Sequence, residues 1–338
     1  YKVTGVQTCA LPICVFRSQM AMMNLQGIPI GDIVDFHLSK LDTRPALITH
    51  HDGNLEAVSR LIRDYDGLPI LVDLTATARS GEIYAEVLQK GGGIVSANKL
   101  PVTSSMDSWQ SWIGDPGYLN SAVRIETTVG AGLPILKTIA GLLETGDKIT
   151  SLKGCFSGTL GFLFDRLSQS QKFSDALNEA RSRGMTEPDP REDLSGMDVA
   201  RKVVILGRMA GLHCDMEDVE VENLIPEDYS RIPLQDFEKN CHNLDPEFQL
   251  LFEQAELRGK KLCYLGSVSS AGLKVRIEEV DQNSVLGTLR GSENICVISS
   301  QRYREPLVIR GPGAGPEVTA SGVFQDILDI NRFLNGRV

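Results

Sequence analysis

The residues best suited to chemistry lie in one stretch, Thr186 to Lys202, which reads TEPDPREDLSGMDVARK. Pro188 and Pro190 stiffen its first half and are expected to keep it extended, since a residue before proline avoids the helical region. Glu187, Asp189, Glu192 and Asp193 crowd acid into that segment. Ser195 reads as a helix N-cap with Asp198 as its capping-box-like partner, opening a helix over 196–209. On such a helix Asp198 and Lys202 lie roughly 40° apart around the axis, on one face. Spacing alone reads most simply as a solvated ion pair worth ~0.3–0.5 kcal/mol. Against that, proline rigidity is wasted on an ordinary acidic loop, and acids flank the helix start, where they can converge on a small cation. Val199, Val203, Val204, Ile205 and Leu206 also call for burial of much of the same helix.

The elements that must position these groups fall into two patterns. Up to about residue 128 the chain alternates helix and buried strand. A helix is expected over 54–65, a strand over 69–74 (PILVDL), a helix over 81–89, a short strand at Ile94-Val95 and another over 123–128. This alternation predicts an α/β fold with a parallel sheet. Thr75-Ala76-Thr77 and Ser96-Ala97-Asn98-Lys99 then stand at the carboxyl ends of strands, where open parallel sheets bind ligands. Gly130-Ala131-Gly132 reads as a turn into a helix over 134–143.

A different layer follows. A strand is expected over 149–156, with Ser157-Gly158-Thr159 opening a helix to about Leu167, and a further helix over 174–183. Residues 215–260 are acidic, loop-rich and helical; 261–268, 273–280 and 295–299 alternate as strands. A strand over 306–310 and the glycine-rich run Gly311 to Gly315 lead to a helix over 318–334. A glycine turn before a helix can cradle phosphate, but a lone one is a weak signal.

The 186–202 stretch closely resembles the signature of the homoserine dehydrogenases. Ser96-Ala97-Asn98-Lys99, Thr128 to Pro134 (TVGAGLP), Ser157-Gly158-Thr159 and Gly311 to Gly322 match the same family in the same order. The similarity runs from about Val15 to the C-terminus. The string from Asn98-Lys99 through Thr103 to Asp107 most resembles the dehydrogenase module of bifunctional aspartokinase–homoserine dehydrogenases.

The resemblance implies a Rossmann-type parallel-sheet domain, over 14–128 plus 309–338, with an inserted α+β substrate and dimerisation domain over 129–308. It implies NAD(P)H-dependent interconversion of L-aspartate 4-semialdehyde and L-homoserine, in threonine and methionine biosynthesis. Lys202 and Lys99 match the family's catalytic positions. Glu187, Asp198, Asp193, Ser157, Gly158 and Thr159 match its substrate site, with Glu192 as possible support where the family often has Asp. Arg17, Ser18, Thr75, Thr77, Ser96, Asn98, Lys99, Gly184, Gly313 and Gly315 match its cofactor site. Arg17 at a 2′-phosphate favours NADP(H) over NAD(H), although a solvent-facing loop arginine fits the position as well. Glu126 and the carbonyls of Val129, Ala131 and Leu133 match a monovalent-cation site, for Na+ or K+, to which hard oxygen donors are suited.

Length and composition suit a soluble globular protein of about two domains. The 338 residues are 42% hydrophobic and 23% charged, with ample length for a core. A net charge of −10 excludes a nucleic-acid or anionic-membrane partner, and no apolar run reaches the length needed to span a bilayer. Seven scattered cysteines with no Cys-x-x-Cys read as free thiols in a cytoplasmic protein. Partners expected by resemblance are a second copy of the chain, as a homodimer or larger homo-oligomer, and a fused N-terminal aspartokinase.

The N-terminus departs from the family. Residues 1–13 match nothing in it, and Thr4 to Ile13 reads as a translated sequencing adapter, so this segment is expected to be non-native. The family's first strand and Gly-x-Gly-x-x-Gly turn are missing, and Val15 to Ser18 is expected to follow the second strand. Weak cofactor binding is therefore expected, and the alternative function is a folded, dimeric, inactive fragment. Semialdehyde dehydrogenase chemistry needs a nucleophilic cysteine at a helix start. Cys155, inside a predicted strand, does not fit it.

Overall fold

The computed structural model describes residues 13–17, 20–24, 48–50, 55–114 and 118–336, and for the strands before residue 55 the backbone only. The chain forms two units, residues 1–128 with 323–338, and residues 129–322.

The first unit is a six-stranded sheet in the order β3-β2-β1-β4-β5-β6. Its strands are β1 (Ile13–Arg17), β2 (Met20–Asn24), β3 (Ile48–His50), β4 (Ile70–Asp73), β5 (Gly93–Ser96) and β6 (Val123–Arg124). β1, β4, β5 and β6 run parallel, and β2 and β3 add antiparallel to one side. Every residue of β4 and β5 is buried, the mark of a central parallel strand covered on both faces. The helices of this unit are α1 (Leu55–Asp64), α2 (Gly81–Gln89), the short α3 (Lys99–Val102) and α4 (Met106–Trp112).

The second unit holds helices α5 (Ile135–Glu144), α6 (Gly158–Leu167), α7 (Phe173–Ser182), α8 (Pro190–Leu194) and α9 (Met197–Met209). The shorter α10 (Glu227–Arg231) and α11 (Leu234–Asn240) precede α12 (Asp245–Leu257). Its sheet has the order β12-β11-β7-β9-β10-β8. The strands are β7 (Ile149–Cys155), β8 (Val219–Val221), β9 (Lys260–Ser269), β10 (Gly272–Asp281), β11 (Glu293–Ser300) and β12 (Leu307–Pro312). All neighbours are antiparallel except β8, which joins β10 in parallel. A final helix, α13 (Pro316–Leu334), crosses from the second unit into the first. In the first unit its Val323 and Ile330 share a core with Ile70, Val72 and Val95.

Helix α9 lies against β9 and β10. At Gly266 of β9, a Cβ would stand 2.6 Å from Val203 Cγ2 and 3.0 Å from Phe156 Cδ2. The missing side chain lets the helix and the Phe156 ring settle onto the strand.

The structure corrects several expectations. Pro190 is not in extended chain; it is the first residue of α8, where its missing N–H has no intrahelical role, and Asp189 caps that helix. Ser195 does not cap the long helix. It follows α8, and the residue before α9 is Gly196, whose φ of 72° is left-handed. A Cβ there would stand 2.0 Å from the Tyr264 hydroxyl. The strand expected to reach Thr128 stops at Arg124, and Glu126–Thr128 form a 3-10 turn. Val15 to Arg17 lie within β1 rather than after a strand, and Ser18 is outside the described residues. The passage back to the first unit comes at Val323, later than the expected 309, because β12 pairs with β11 in the second sheet. Residues 1–12 also lie outside the described set.

Because Gly266 sets how closely α9 approaches the sheet, Gly266→Ala is expected to cost about 1–3 kcal/mol by overpacking. Urea denaturation of the variant beside the parent measures the loss, and an unchanged midpoint would show that the contact relaxes freely.

Candidate active site

Lys202 stands on α9 next to Val203. Its side chain is only 12% exposed, while that of Asp198 is 47% exposed. The ammonium donates to the Phe156 carbonyl at 2.5 Å and pairs with Asp198 Oδ2 at 2.8 Å. Phe156 follows β7, and the next residue, Ser157, caps α6 by accepting from Leu160 N at 3.2 Å. The Ser157-Gly158-Thr159 turn therefore begins one peptide from the carbonyl that holds Lys202.

The acidic loop folds back on the same place. Glu187 N donates to Asp193 Oδ2 at 2.9 Å, and the Thr159 hydroxyl donates to the Met185 carbonyl at 2.6 Å. Burial raises the Asp193 carboxyl above its ordinary value. The charges of Glu187 and Asp198 push the same way, against the Glu187 amide and the Thr159 hydroxyl, which lower it. The three acids are thus near enough to feel one another. Glu187 is exposed, and Gly184, at φ 66°, is exposed with open space where a Cβ would be. Within this unit the structure brings together Lys202, Asp198, Asp193, Glu187, Ser157, Gly158 and Thr159. Three carboxylates around one ammonium leave an excess of negative charge, suited to a ligand that carries its own ammonium.

Sequence reasoning missed the groups that hold this cluster. Arg191 spans Asp189, with Nε at 2.9 Å from Oδ1, and donates to the carbonyls of Tyr229 at 3.2 Å and Ile232 at 2.6 Å. It ties the acidic loop to distant chain. The Phe156 carbonyl carries no signal in the residue type at all. Glu192 is exposed, and its carbonyl accepts from the Ser195 hydroxyl at 2.7 Å.

The predicted cofactor residues of the first unit gather at the carboxyl ends of β4 and β5. Thr75 donates its N–H and hydroxyl to Asp73 Oδ1 at 2.9 and 2.7 Å. Thr77 accepts from Arg79 N at 3.3 Å. Ser96 is fully buried and accepts from Asn98 N at 3.0 Å. Asn98 caps α3, whose first residue is Lys99. Arg17 ends β1 with its side chain undescribed.

In the second unit Gly313 abuts the fully buried Asn294. A Cβ on Gly313 would stand 1.8 Å from its amide carbon. That contact alone demands glycine there, whatever the turn binds. Gly315, at φ 130°, leads into α13.

Of the expected cation site, Glu126 belongs to the first unit and Val129, Ala131 and Leu133 to the second. Glu126 is 3% exposed, and its N–H donates to Asp326 Oδ2 at 3.0 Å. Gly130 and Ala131 both take left-handed φ, 78° and 54°. Ala131 is a non-glycine residue held in a strained region, as occurs where backbone carbonyls are turned to a purpose. A carboxylate and backbone carbonyls are hard oxygen donors, the chemical type an alkali cation takes. Among the described residues no cluster of three or more His, Cys, Asp or Glu is arranged to hold a metal. Burial pushes the Cys155 thiol up to about 12, the reverse of what a nucleophile needs. A separate cavity of about 580 Å³, with Asp165, Phe248, Lys261 and Arg290 in its walls, contains none of the candidate residues.

Comparison with known proteins follows this geometry. The sequence model of the homoserine dehydrogenase family matches residues 134–328. The homoserine dehydrogenase of Paracoccidioides brasiliensis is 38% identical over 290 residues, covering 82% of this chain and 78% of that protein. The chain spans about a third or less of the plant bifunctional aspartokinase/homoserine dehydrogenases it matches: 29% of a chloroplastic one from Zea mays, at 40% identity over 78% of this chain. Among solved structures, a Candida auris protein of unknown function has a TM-score of 0.83 at 31% identity, covering 95% of this chain and 90% of that one. A hyperthermophilic archaeal homoserine dehydrogenase in complex with NADPH has a TM-score of 0.70 at 22% identity, covering 94% and 87%. That likeness is one of fold.

Since the native Asp193 carboxyl is raised, folding favours its protonated form, and its ionisation works against stability as pH rises through the carboxylate range. Asp193→Asn is therefore expected to melt higher than the parent at neutral pH, with the gain shrinking on acidification, and to lose activity. Melting curves over roughly pH 4 to 8, from the carboxylate range upward, test this. A gain that grows at low pH would contradict the assigned direction.

Proposed function

Because the chain belongs to the homoserine dehydrogenase family, we propose that it interconverts L-aspartate 4-semialdehyde and L-homoserine with a nicotinamide cofactor. The observation that carries this reading is the largely covered Lys202 ammonium, held between Asp198 and the Phe156 carbonyl, with Asp193 and Glu187 near enough to Asp198 to interact. A nicotinamide cofactor, once bound, would supply hydride to the aldehyde carbon. Negative charge then develops on the aldehyde oxygen, and Lys202 Nζ holds the proton that this oxygen takes. In the oxidative direction the neutral amine accepts it back. Glu187, Asp198 and Asp193 bind the substrate ammonium and the chain end near it, with the Ser157-Gly158-Thr159 turn on the other side. Gly184, without a side chain, leaves room for the nicotinamide end. Lys99, at the start of α3, is the second catalytic lysine of this reading; Thr75, Thr77, Ser96 and Asn98 are its cofactor residues in the first unit, and Gly313 and Gly315 those in the second.

The finer assignments belong to the same proposal. NADP(H) is preferred to NAD(H), with Arg17 at the 2′-phosphate; the NADPH complex of an archaeal relative with the same fold supports a nicotinamide cofactor. Glu126 with the carbonyls of Val129, Ala131 and Leu133 holds Na+ or K+. The protein acts as a homodimer or larger homo-oligomer in the cytoplasm, in threonine and methionine biosynthesis, and an aspartokinase fusion is supported by the plant relatives. The five described cysteines are free and buried, which fits a reducing compartment. Among the described residues no helix is long and apolar enough to cross a membrane.

The purified chain is expected to reduce NADP+ in the presence of L-homoserine. Lys202→Met is expected to lower kcat by about 10²- to 10⁴-fold, the usual worth of a positioned proton donor, with circular dichroism and melting unchanged. Near-parental turnover in that variant would remove Lys202 from the reaction.

A further inference from the structure

Asp73 is the last residue of β4 and is 3% exposed. Its carboxylate is the meeting point of the first unit's polar groups. Oδ1 accepts from the Thr75 N–H at 2.9 Å and the Thr75 hydroxyl at 2.7 Å. Oδ2 accepts from Ser80 Oγ at 2.6 Å, Tyr84 OH at 2.6 Å and Asn98 Nδ2 at 3.2 Å. A buried carboxylate is costly unless its oxygens are filled, and these are filled from five donors.

Asn98 carries the arrangement onward. Its Nδ2 also lies 2.8 Å from the Thr77 carbonyl, 3.2 Å from Thr75 Oγ1 and 3.1 Å from Ser80 Oγ. Its Oδ1 accepts from Leu100 N at 3.0 Å and so closes the first turn of α3. A short helix has little stability of its own, so the cap decides where it starts. Lys99 is the first residue of that helix. One carboxylate thus fixes the Thr75–Thr77 loop directly, and the start of the Lys99 helix through Asn98.

We propose that Asp73 is a positioning residue for dinucleotide binding, setting the Thr75–Thr77 loop and the Asn98–Lys99 helix start as one rigid unit. This rests on the reading of that loop and helix as the cofactor side of a homoserine dehydrogenase. Asp73 contacts neither substrate nor cofactor; it acts through Thr75 and Asn98. Exchange of one oxygen for an amide, as in Asp73→Asn, keeps the size and sets an N–H donor against the surrounding donors. The loop and the helix start then part from each other.

The test uses the full chain, NADPH as the probe, and two readouts. Asp73→Asn is expected to raise the Kd for NADPH, by fluorescence titration, and the KM for NADP+ by about 10- to 100-fold, the scale of an ångström of misplacement. The KM for homoserine at saturating cofactor is expected to rise clearly less than that for NADP+, because of the displaced groups only Lys99 serves the substrate, whereas general unfolding would degrade both equally. NADPH binding within twofold of the parent, or equal loss in both KM values, overturns the proposal. If Asp73→Asn does not fold, Ser80→Ala carries the test. It removes one donor to Asp73 and one acceptor from Asn98, and an unchanged Kd there overturns the proposal too. A parent chain that binds NADPH but leaves homoserine untouched defeats the reaction assignment while the ratio of Kd values still decides Asp73. A parent that binds no dinucleotide overturns both.

Discussion

The ammonium of Lys202 is usable only because helix α9 lies close on strand β9. Gly266 permits that approach, and Val203, one residue from the lysine, occupies the space a side chain would need. The same gap admits the ring of Phe156, whose carbonyl then faces the lysine at 2.5 Å. Burial of an ammonium is unfavourable unless its protons are met. Here one meets a carbonyl and another a carboxylate, and the half-exposed Asp198 keeps the pair in reach of a substrate. The packing of apolar groups behind the helix therefore determines the electrostatics in front of it.

The acidic loop is held under opposing demands. Arg191 draws Asp189 and the carbonyls of Tyr229 and Ile232 into one ionic knot and so anchors α8. Beyond it, Asp193 is kept half-buried beside Glu187 and Asp198, at a cost visible in its raised carboxyl. A protein selected for stability alone would place an amide there. Retention of the acid is intelligible if a cationic ligand supplies the missing counter-charge when it binds.

Two devices place the candidate residues, and they differ in kind. In the first, a strand ends and a capped helix begins at once. Asn98 caps the turn that carries Lys99, Thr77 the turn after β4, and Ser157 the turn that carries Thr159. In the second, Lys202 sits a full turn inside its helix and is placed by side-chain packing from a distant strand. Caps are local, so their effect is confined to three or four residues of chain. Packing is not, and its partner, Gly266, lies some sixty residues on in a strand that has no obvious link to the lysine, a separation of roughly that size being ordinary for sheet contacts.

This difference explains how much was legible in the sequence. The alternation of helix and buried strand, the Ser157 helix start and the pairing of Asp198 with Lys202 could be read from type and spacing, because their causes are local. The boundaries that went astray had remote or positional causes. Position 196 takes glycine because its backbone is left-handed and Tyr264 occupies the place of a side chain. Pro190 begins a helix because Asp189 caps it and Arg191 pins the cap, whereas the proline alone argued for extended chain. Asp73 was the least visible: it reads as the polar end of an apolar strand, and its partners are up to 25 residues away. A carboxylate at the end of a central parallel strand cannot reach water and must find donors in the loops above. An acid closing such a strand is thus itself a sign that those loops are built around it.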